Sequence, residues 1–235
     1  MTRPLHDKRA IVTGAASGIG LAVFCAFRSE GARVIGIDIA QANNGGECLV
    51  ADVSCEAEVE EAVGIAAHRL GGIDILVNCA GIYSEAPLGN LDMTAFDQMF
   101  AVNVRGTALA AKAVLRHMPE GGRIINVASE LAYLGRANAS GYSATKGAIL
   151  SMTRSWAREL APRILVNAVA PGPTDTPLLR FDELTPDLQA IELDNPLRRI
   201  GRPEEVAAAI VFLAGPGATF MTGQCIAADG GAAMR

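Results

Sequence analysis

The 235-residue chain has no basic cluster, no closely paired cysteines and no long apolar run, and each absence excludes something. Twenty Lys and Arg are scattered against 25 Asp and Glu, a net charge of −5. Nucleic acids and anionic membranes reward clustered cations, so neither is expected as a partner. No segment holds eighteen uninterrupted apolar residues, so no span of a bilayer is expected. Met1 to Lys8 is charged without an apolar stretch behind it, which does not read as a signal peptide. The five cysteines, Cys25, Cys48, Cys55, Cys79 and Cys225, are odd in number and show no C-x-x-C spacing. Reduced thiols in a cytoplasmic protein are the expectation. His6, His68 and His117 stand apart from one another and from the cysteines, so no metal site is expected.

What the chain does have is apolar sequence in short, regularly placed runs. Half its residues are hydrophobic and 19% are charged, which leaves little scope for disorder. Ala10–Thr13, Arg33–Asp38, Cys48–Ala51, Ile73–Asn78, Arg123–Ser129, Leu165–Ala170 and Cys225–Ala228 read as strands, several of them apolar throughout, as in strands buried on both faces. Helical windows lie between them. Ile19, Ala22, Val23, Ala26 and Phe27 follow the i, i+3, i+4 pattern and end at Gly31. Val59, Val63, Ala66, Ala67 and Leu70 repeat it and end at Gly71-Gly72. Pro203-Glu204-Glu205 opens a further helix with proline and acids in its first turn. This alternation predicts an α/β fold: a doubly wound, mostly parallel seven-stranded sheet with helices on both faces, in one domain over residues 1–235. The long irregular stretch from Gly172 to Arg202, with a short helical pattern inside it, has the character of a lid or binding loop.

One connection departs from the layout. Only thirteen residues separate Asp38 from Asp52, and Asn43-Asn44-Gly45-Gly46 lies among them. That is too short for a crossover helix and a strand, so the helix is expected to be absent or reduced to a turn.

The first strand runs into Thr13-Gly14-Ala15-Ala16-Ser17-Gly18-Ile19-Gly20 and then into an amphipathic helix. Gly14 permits a tight turn, Gly18 a close approach of backbone to a pyrophosphate, and Gly20 close packing of helix on sheet. The spacing is G-x-x-x-G-x-G, and a plain tight turn would use the same residues. Its place at the first strand-to-helix junction favours a dinucleotide. No Gly-Lys-Ser/Thr follows, so it is not a nucleoside-triphosphate loop.

From here on the chain resembles the short-chain dehydrogenase/reductase family over nearly its whole length. The family's Asn-Asn-Ala-Gly motif is matched by Asn78-Cys79-Ala80-Gly81, with Cys79 in place of the second Asn. Asn103 matches its helix-borne Asn, Ser129 its serine, and Tyr142 and Lys146 its Tyr-x-x-x-Lys pair thirteen residues beyond the serine. Pro171-Gly172, Thr174 and Thr176 match the segment that approaches the nicotinamide, and Thr222-Gly223-Gln224 with Asp229-Gly230-Gly231 match the C-terminal signature. The resemblance implies a Rossmann-type fold and a catalytic set of Asn103, Ser129, Tyr142 and Lys146. It implies that Gly14, Ser17, Gly18, Ile19, Gly20, Asp52, Val53, Ala80, Gly81, Pro171, Gly172, Thr174 and Thr176 contact the cofactor, together with Asn78, Tyr142 and Lys146. Asp52 would meet the adenine, although it is equally placed to start a turn with Ser54. Asn78 is also suited to stabilising the sheet.

The chemistry follows from the residue types. Tyr142 and Lys146, four apart on a helix, share a face. An ammonium about 4 Å from a phenol attracts the phenolate by around 4 kcal/mol at an effective dielectric of about 20, which would draw the phenol toward the range of a useful general base. Tyr142 is then the proton acceptor from a substrate alcohol, with Ser129 holding the substrate oxygen and Lys146 binding the ribose. Asn103 resembles the anchor of a water chain from the lysine to solvent. Asp38, at the end of the second strand, would accept hydrogen bonds from the adenosine ribose and repel a 2′-phosphate, so NAD is the expected cofactor.

The substrate is expected to be a small secondary alcohol or ketone of polyol, dihydrodiol or hydroxy-ketone type. Tyr83, Glu130, Leu131, Tyr133, Arg136, Leu178 and Phe181 are candidate pocket residues. Glu130 either faces the pocket, where it would suit hydroxyl-rich or cationic substrates, or points to solvent. A β-ketoacyl reductase-like enzyme and a catalytically silent dinucleotide sensor are the alternatives. A homotetramer is expected, built on helices from about Thr94 to His117 and Tyr142 to Ala161, whose small and apolar faces include Ala108, Ala110, Ala111, Ala113, Ala148, Ile149 and Met152.

Overall fold

The structure is a computed structural model that describes residues 3–41 and 47–234. Seven strands form one sheet in the order β3-β2-β1-β4-β5-β6-β7, and every neighbouring pair is parallel. They are β1 (Arg9–Thr13), β2 (Arg33–Asp38), β3 (Cys48–Val50), β4 (Ile75–Asn78), β5 (Gly122–Val127), β6 (Ile164–Pro171) and β7 (Cys225–Ala228). All seven expected strands form. Their inner members are buried almost throughout, as the unbroken apolar runs require, while the edge strands β3 and β7 are only partly covered. β5 stops at Val127, two residues earlier than expected, so Ser129 lies beyond the strand, where the chain turns into a short helix.

Helices cover both faces. On one, α1 (Gly18–Ser29) and α8 (Pro203–Ala214) enclose Val12, Phe24, Phe27, Val77 and Ile210. On the other, α2 (Glu56–Leu70) and α4 (Thr107–Val114) close over Ile11, Val63, Leu76 and Ile124. Packing fixes where α1 lies: Ser17 makes no side-chain cap, whereas Phe24 and Phe27 are at most 1% exposed. Burying each ring stabilises by about 1.5–3 kcal/mol, more than the roughly 1 kcal/mol of a cap. α8 is capped by Glu205, which accepts from the Arg202 amide at 2.8 Å.

The helix expected from Thr94 to His117 is in four parts: α3 (Met93–Met99), a π-helical segment Phe100–Gly106, α4 and a closing 3-10 turn Leu115–His117. The widened turn carries Asn103, and such insertions gather at functional positions. α5 (Leu131–Leu134) is a single turn, α6 (Ser140–Leu160) carries Tyr142 and Lys146, and α7 (Pro186–Glu192) lies within the long segment 172–202. Between β2 and β3 the chain has residues 39–47. The reduced connection expected there falls on residues 42–46, outside the described residues. Of the residues expected on an intersubunit face, Ala110, Ala111, Ala113 and Ile149 instead pack into the chain's own core. Ala108, Ala148 and Met152 remain partly exposed. No helix among the described residues is long and apolar enough to cross a membrane.

Candidate active site

The order of strands reverses between β1 and β4, and in such sheets the crevice beyond the strand ends at the reversal is where ligands bind. The loop Gly14–Gly20 lies there. Gly14 has φ 68°, and a Cβ on it would meet the backbone of Ala80 at 2.8 Å. Any side chain at Gly20 would collide with the carbonyl of Gly14 at 1.9 Å. Thr13 ties the two strand ends together, its hydroxyl accepting from the amides of Cys79 and Ala80, each at 3.2 Å. A cavity of about 330 Å³ opens beside the loop, lined by Gly14, Ser17, Gly18, Ile19 and Gly20. Asp38, Asp52, Val53, Ala80, Gly81 and Thr176 also line it.

Asp38 marks the far end. Its carboxylate accepts from the amide of Ala16 at 2.9 Å and that of Ala40 at 3.0 Å, so it braces the loop as well as facing the cavity. Asp52 lines the cavity and starts a turn with Ser54, accepting from its amide and hydroxyl, each at 2.8 Å. Asn78 lines neither this cavity nor the next. It is 3% exposed, and its amide donates to Asn126 at 2.9 Å, while Asn126 donates to Thr153 at 2.9 Å. It ties adjacent parallel strands, β4 and β5, through side chains, which is the sheet-stabilising role.

A second cavity of about 280 Å³ joins the first at Ile19, Cys79, Gly81, Thr176 and Leu178. Ser129, Tyr142, Lys146, Pro171, Gly172 and Thr174 line it. Lys146 is 5% exposed, donates to the carbonyl of Val127 at 2.8 Å and lies 5.6 Å from the centre of the Tyr142 ring. Burial pulls its pKa down to about 8. Asn103, 1% exposed, stands behind this pair. Its side chain exchanges two hydrogen bonds with the backbone of Ile82, at 2.8 and 3.0 Å, and donates to Thr145 at 3.1 Å. A Cβ on Gly81 would lie 3.3 Å from its oxygen and 3.6 Å from the Lys146 ammonium, so a bare glycine is what lets the two approach.

The electrostatics correct one expectation. Tyr142 is held above its ordinary phenol value, first by burial and then by the charge of Glu130, while the Ser129 hydroxyl opposes the shift. The lowering expected from Lys146 is not among these influences. Its ammonium lies against the ring and points at Val127, and burial weakens its own charge. Cys79, in the altered motif position, is pushed up to about 12 by burial and remains a thiol.

The substrate side is built from more than the expected residues. Tyr83, Glu130, Leu131, Arg136 and Leu178 line it, but Tyr133 packs into the core beside Ile149 and Leu150, and Phe181 is not among the lining residues. Leu184, Leu188, Ile191 and Glu192, from α7 and the turn before it, form an additional wall. They belong to the 172–202 stretch expected to act as a lid or binding loop, but no local signal singles them out within it, because they reach the site only when the segment folds back. Arg136 pairs with Glu192, donates to the Tyr83 hydroxyl at 2.7 Å and approaches Glu85 at 3.8 Å. Tyr83 stacks edge-on with Tyr142, centroids 5.0 Å apart. Among the described residues no group of three or more His, Cys, Asp or Glu is arranged to hold a metal ion.

A family model described as enoyl-(acyl carrier protein) reductase matches residues 14–233. The chain is 41% identical to cis-4-hydroxycyclohexanecarboxylate dehydrogenase of Sinomonas cyclohexanicum, over 98% of each chain. It is similar to the ligand-free aldohexose dehydrogenase of Thermoplasma acidophilum at TM-score 0.92 and 33% identity, over 100% of this chain and 97% of that one. A short-chain dehydrogenase of Burkholderia cenocepacia, solved in complex with NADP, matches at TM-score 0.89 and 33% identity, over 97% of this chain and 98% of that one.

Proposed function

Because the chain belongs to the short-chain dehydrogenase/reductase family, an assignment its oxidoreductase relatives share, we propose that it is an NAD-dependent dehydrogenase of small secondary alcohols, reversible toward the ketone. One observation carries this reading: Ser129, Tyr142 and Lys146 line a cavity that opens directly into the glycine-loop cavity ending at Asp38. The bare backbone of Gly18 fits a pyrophosphate there, with Gly14 and Gly20 permitting the turn and the close packing that shape the loop, and Asp38 fits a ribose diol.

When bound, the nicotinamide dinucleotide supplies the hydride acceptor or donor. Ser129 holds the substrate oxygen. In oxidation Tyr142, as phenolate, takes the hydroxyl proton while the carbon loses hydride and becomes a carbonyl. In reduction the neutral phenol returns that proton. A raised phenol suits the second task at neutral pH, so oxidation is favoured at alkaline pH. Lys146 positions Tyr142 and offers its ammonium to the ribose, and Asn103 holds the Gly81–Ile82 backbone beside them. The test is a panel of secondary alcohols with NAD⁺ and with NADP⁺, followed by absorbance of the reduced cofactor. Absence of turnover with every alcohol and both cofactors would defeat the reading.

The protein is also proposed to be a homotetramer, on the partly exposed small residues of α4 and α6 that remain after the core is accounted for. Light scattering at micromolar concentration decides it, and a monomer peak would refute it.

A further inference from the structure

Glu130 is 7% exposed, yet it lines the substrate cavity. A buried carboxylate offers about four acceptor positions and needs donors or a cation to fill them. The donors it has are the Ser129 hydroxyl, at 3.1 Å, and its own backbone amide. Arg136, whose charge reaches it, is committed to Glu192, Tyr83 and Glu85. Ser129 also accepts from the Leu131 amide at 3.1 Å, and its one proton is shared between Glu130 and the Tyr142 hydroxyl, both within its reach. The site therefore presents a hydroxyl that can turn its proton to the reacting oxygen and, a hydrogen-bond length away, a carboxyl with lone pairs left over for a second hydroxyl.

We propose that Glu130 is a second substrate-binding group that takes the hydroxyl on the carbon next to the reacting one. The substrates are then vicinal diols of neutral cyclic polyols, and their α-hydroxyketones. Two oxygens on neighbouring carbons have the spacing of Ser129 and Glu130. Leu178, Leu184, Leu188 and Ile191, which line the same cavity, suit the apolar face of a ring. Charge argues for a neutral molecule. Glu85 and Glu192 share the cavity with Glu130 and repel a substrate carboxylate, while Arg136 and Lys146 repel an ammonium. Burial pushes the Glu130 carboxyl up to about 7, and Glu192 adds to this. A hydroxyl donor at that oxygen would relieve the cost of ionising it.

The inference rests on the dehydrogenase reading, and the experiment separates the two. Wild type, Glu130→Gln and Glu130→Ala are assayed with cyclohexanol, cis-1,2-cyclohexanediol and cis-2-aminocyclohexanol, with NAD⁺ and with NADP⁺. The readout is the ratio of kcat/KM for diol over cyclohexanol, in which any general disturbance of Ser129 cancels. In the wild type the ratio should be about tenfold or more, the scale of one hydrogen bond to a charged group. It should fall toward one in the alanine variant, with glutamine between. Cyclohexanol turnover without diol preference, an amino alcohol preferred over the diol, or a ratio unmoved in both variants would overturn the inference and leave the dehydrogenase reading standing. No turnover of any alcohol would overturn both.

Discussion

Arg136, in the turn before α6, and Glu192, the last residue of α7, form an ion pair within the substrate cavity, and it ties the 172–202 segment to the body of the protein. Their side chains are 24% and 8% exposed. Removing one partner of a buried pair can cost about 3–5 kcal/mol, because the other charge is left unmatched. In Glu192→Ala, Arg136 keeps Tyr83 at 2.7 Å and Glu85 at 3.8 Å, so part of that loss is offset. The expected result is faster proteolytic cleavage within residues 172–202 and a KM raised several-fold more than kcat is lowered. Unchanged cleavage and KM would mean that contacts other than this ion pair suffice to hold α7.

Tyr142→Phe keeps the ring and its edge-on contact with Tyr83 but removes the acid–base group. Loss of a general base typically lowers the rate by about 10² to 10⁴. Turnover should fall in that range while dinucleotide binding, read by quenching or calorimetry, is retained. Turnover within about threefold of wild type would be incompatible with the assignment.

The strands and the glycine loop were legible because their signals are local. An unbroken run such as Ile75–Asn78 has nowhere to lie but between two covered faces. Gly14 and Gly20 mark backbone contacts that no side chain tolerates. Tyr142 and Lys146 declared themselves by spacing, but their electrostatics did not. Whether the ammonium acts on the phenol depends on where it points, and Val127 draws it away. The roles of Glu130 and Glu192 depend on two segments far apart in sequence meeting over one cavity. Asn103 could be matched by motif, but not the π-helical turn that carries it, since one extra residue in a helical turn leaves no periodic trace.

Two buried groups should shape stability against pH in opposite directions. Glu130 is raised from 4.5 to about 7, so between these values the unfolded chain gives up its proton while the folded chain keeps it. Stability therefore falls as pH rises through that window. Lys146 is lowered from 10.5 to about 8, so its cost is present below that window and stability recovers as pH rises through it. Glu130→Gln has no such proton to lose. Its stability relative to wild type, from urea titrations, should increase between pH 4.5 and 7, by at most about 3 kcal/mol. A difference independent of pH would mean that Glu130 ionises freely in the folded protein.

Asp38 should make the enzyme prefer NAD over NADP. Each carboxylate oxygen already accepts one backbone amide, from Ala16 and Ala40, and each keeps a further lone pair for a ribose hydroxyl. A 2′-phosphate would instead face that carboxylate. At about 4 Å and an effective dielectric of about 20, two like charges repel by around 4 kcal/mol. Among the described residues no Lys or Arg lines this cavity, the sequence has none from Val34 to Ala67, and the glycine loop supplies Ala15, Ala16 and Ser17. The NADP-bound relative does not decide the matter, since cofactor choice turns on the residues at this one end of the cavity. Wild type should use NAD⁺ with a kcat/KM at least about a hundredfold above NADP⁺, which corresponds to somewhat less than the full repulsion. Asp38→Asn removes the charge and one of the two acceptors that hold the Ala16 and Ala40 amides, so its melting temperature should fall by about 2–4 °C while the preference shrinks by about tenfold or more. Equal use of NADP⁺ by the wild type would defeat the assignment of NAD. Full selectivity in Asp38→Asn would show that the discrimination lies elsewhere.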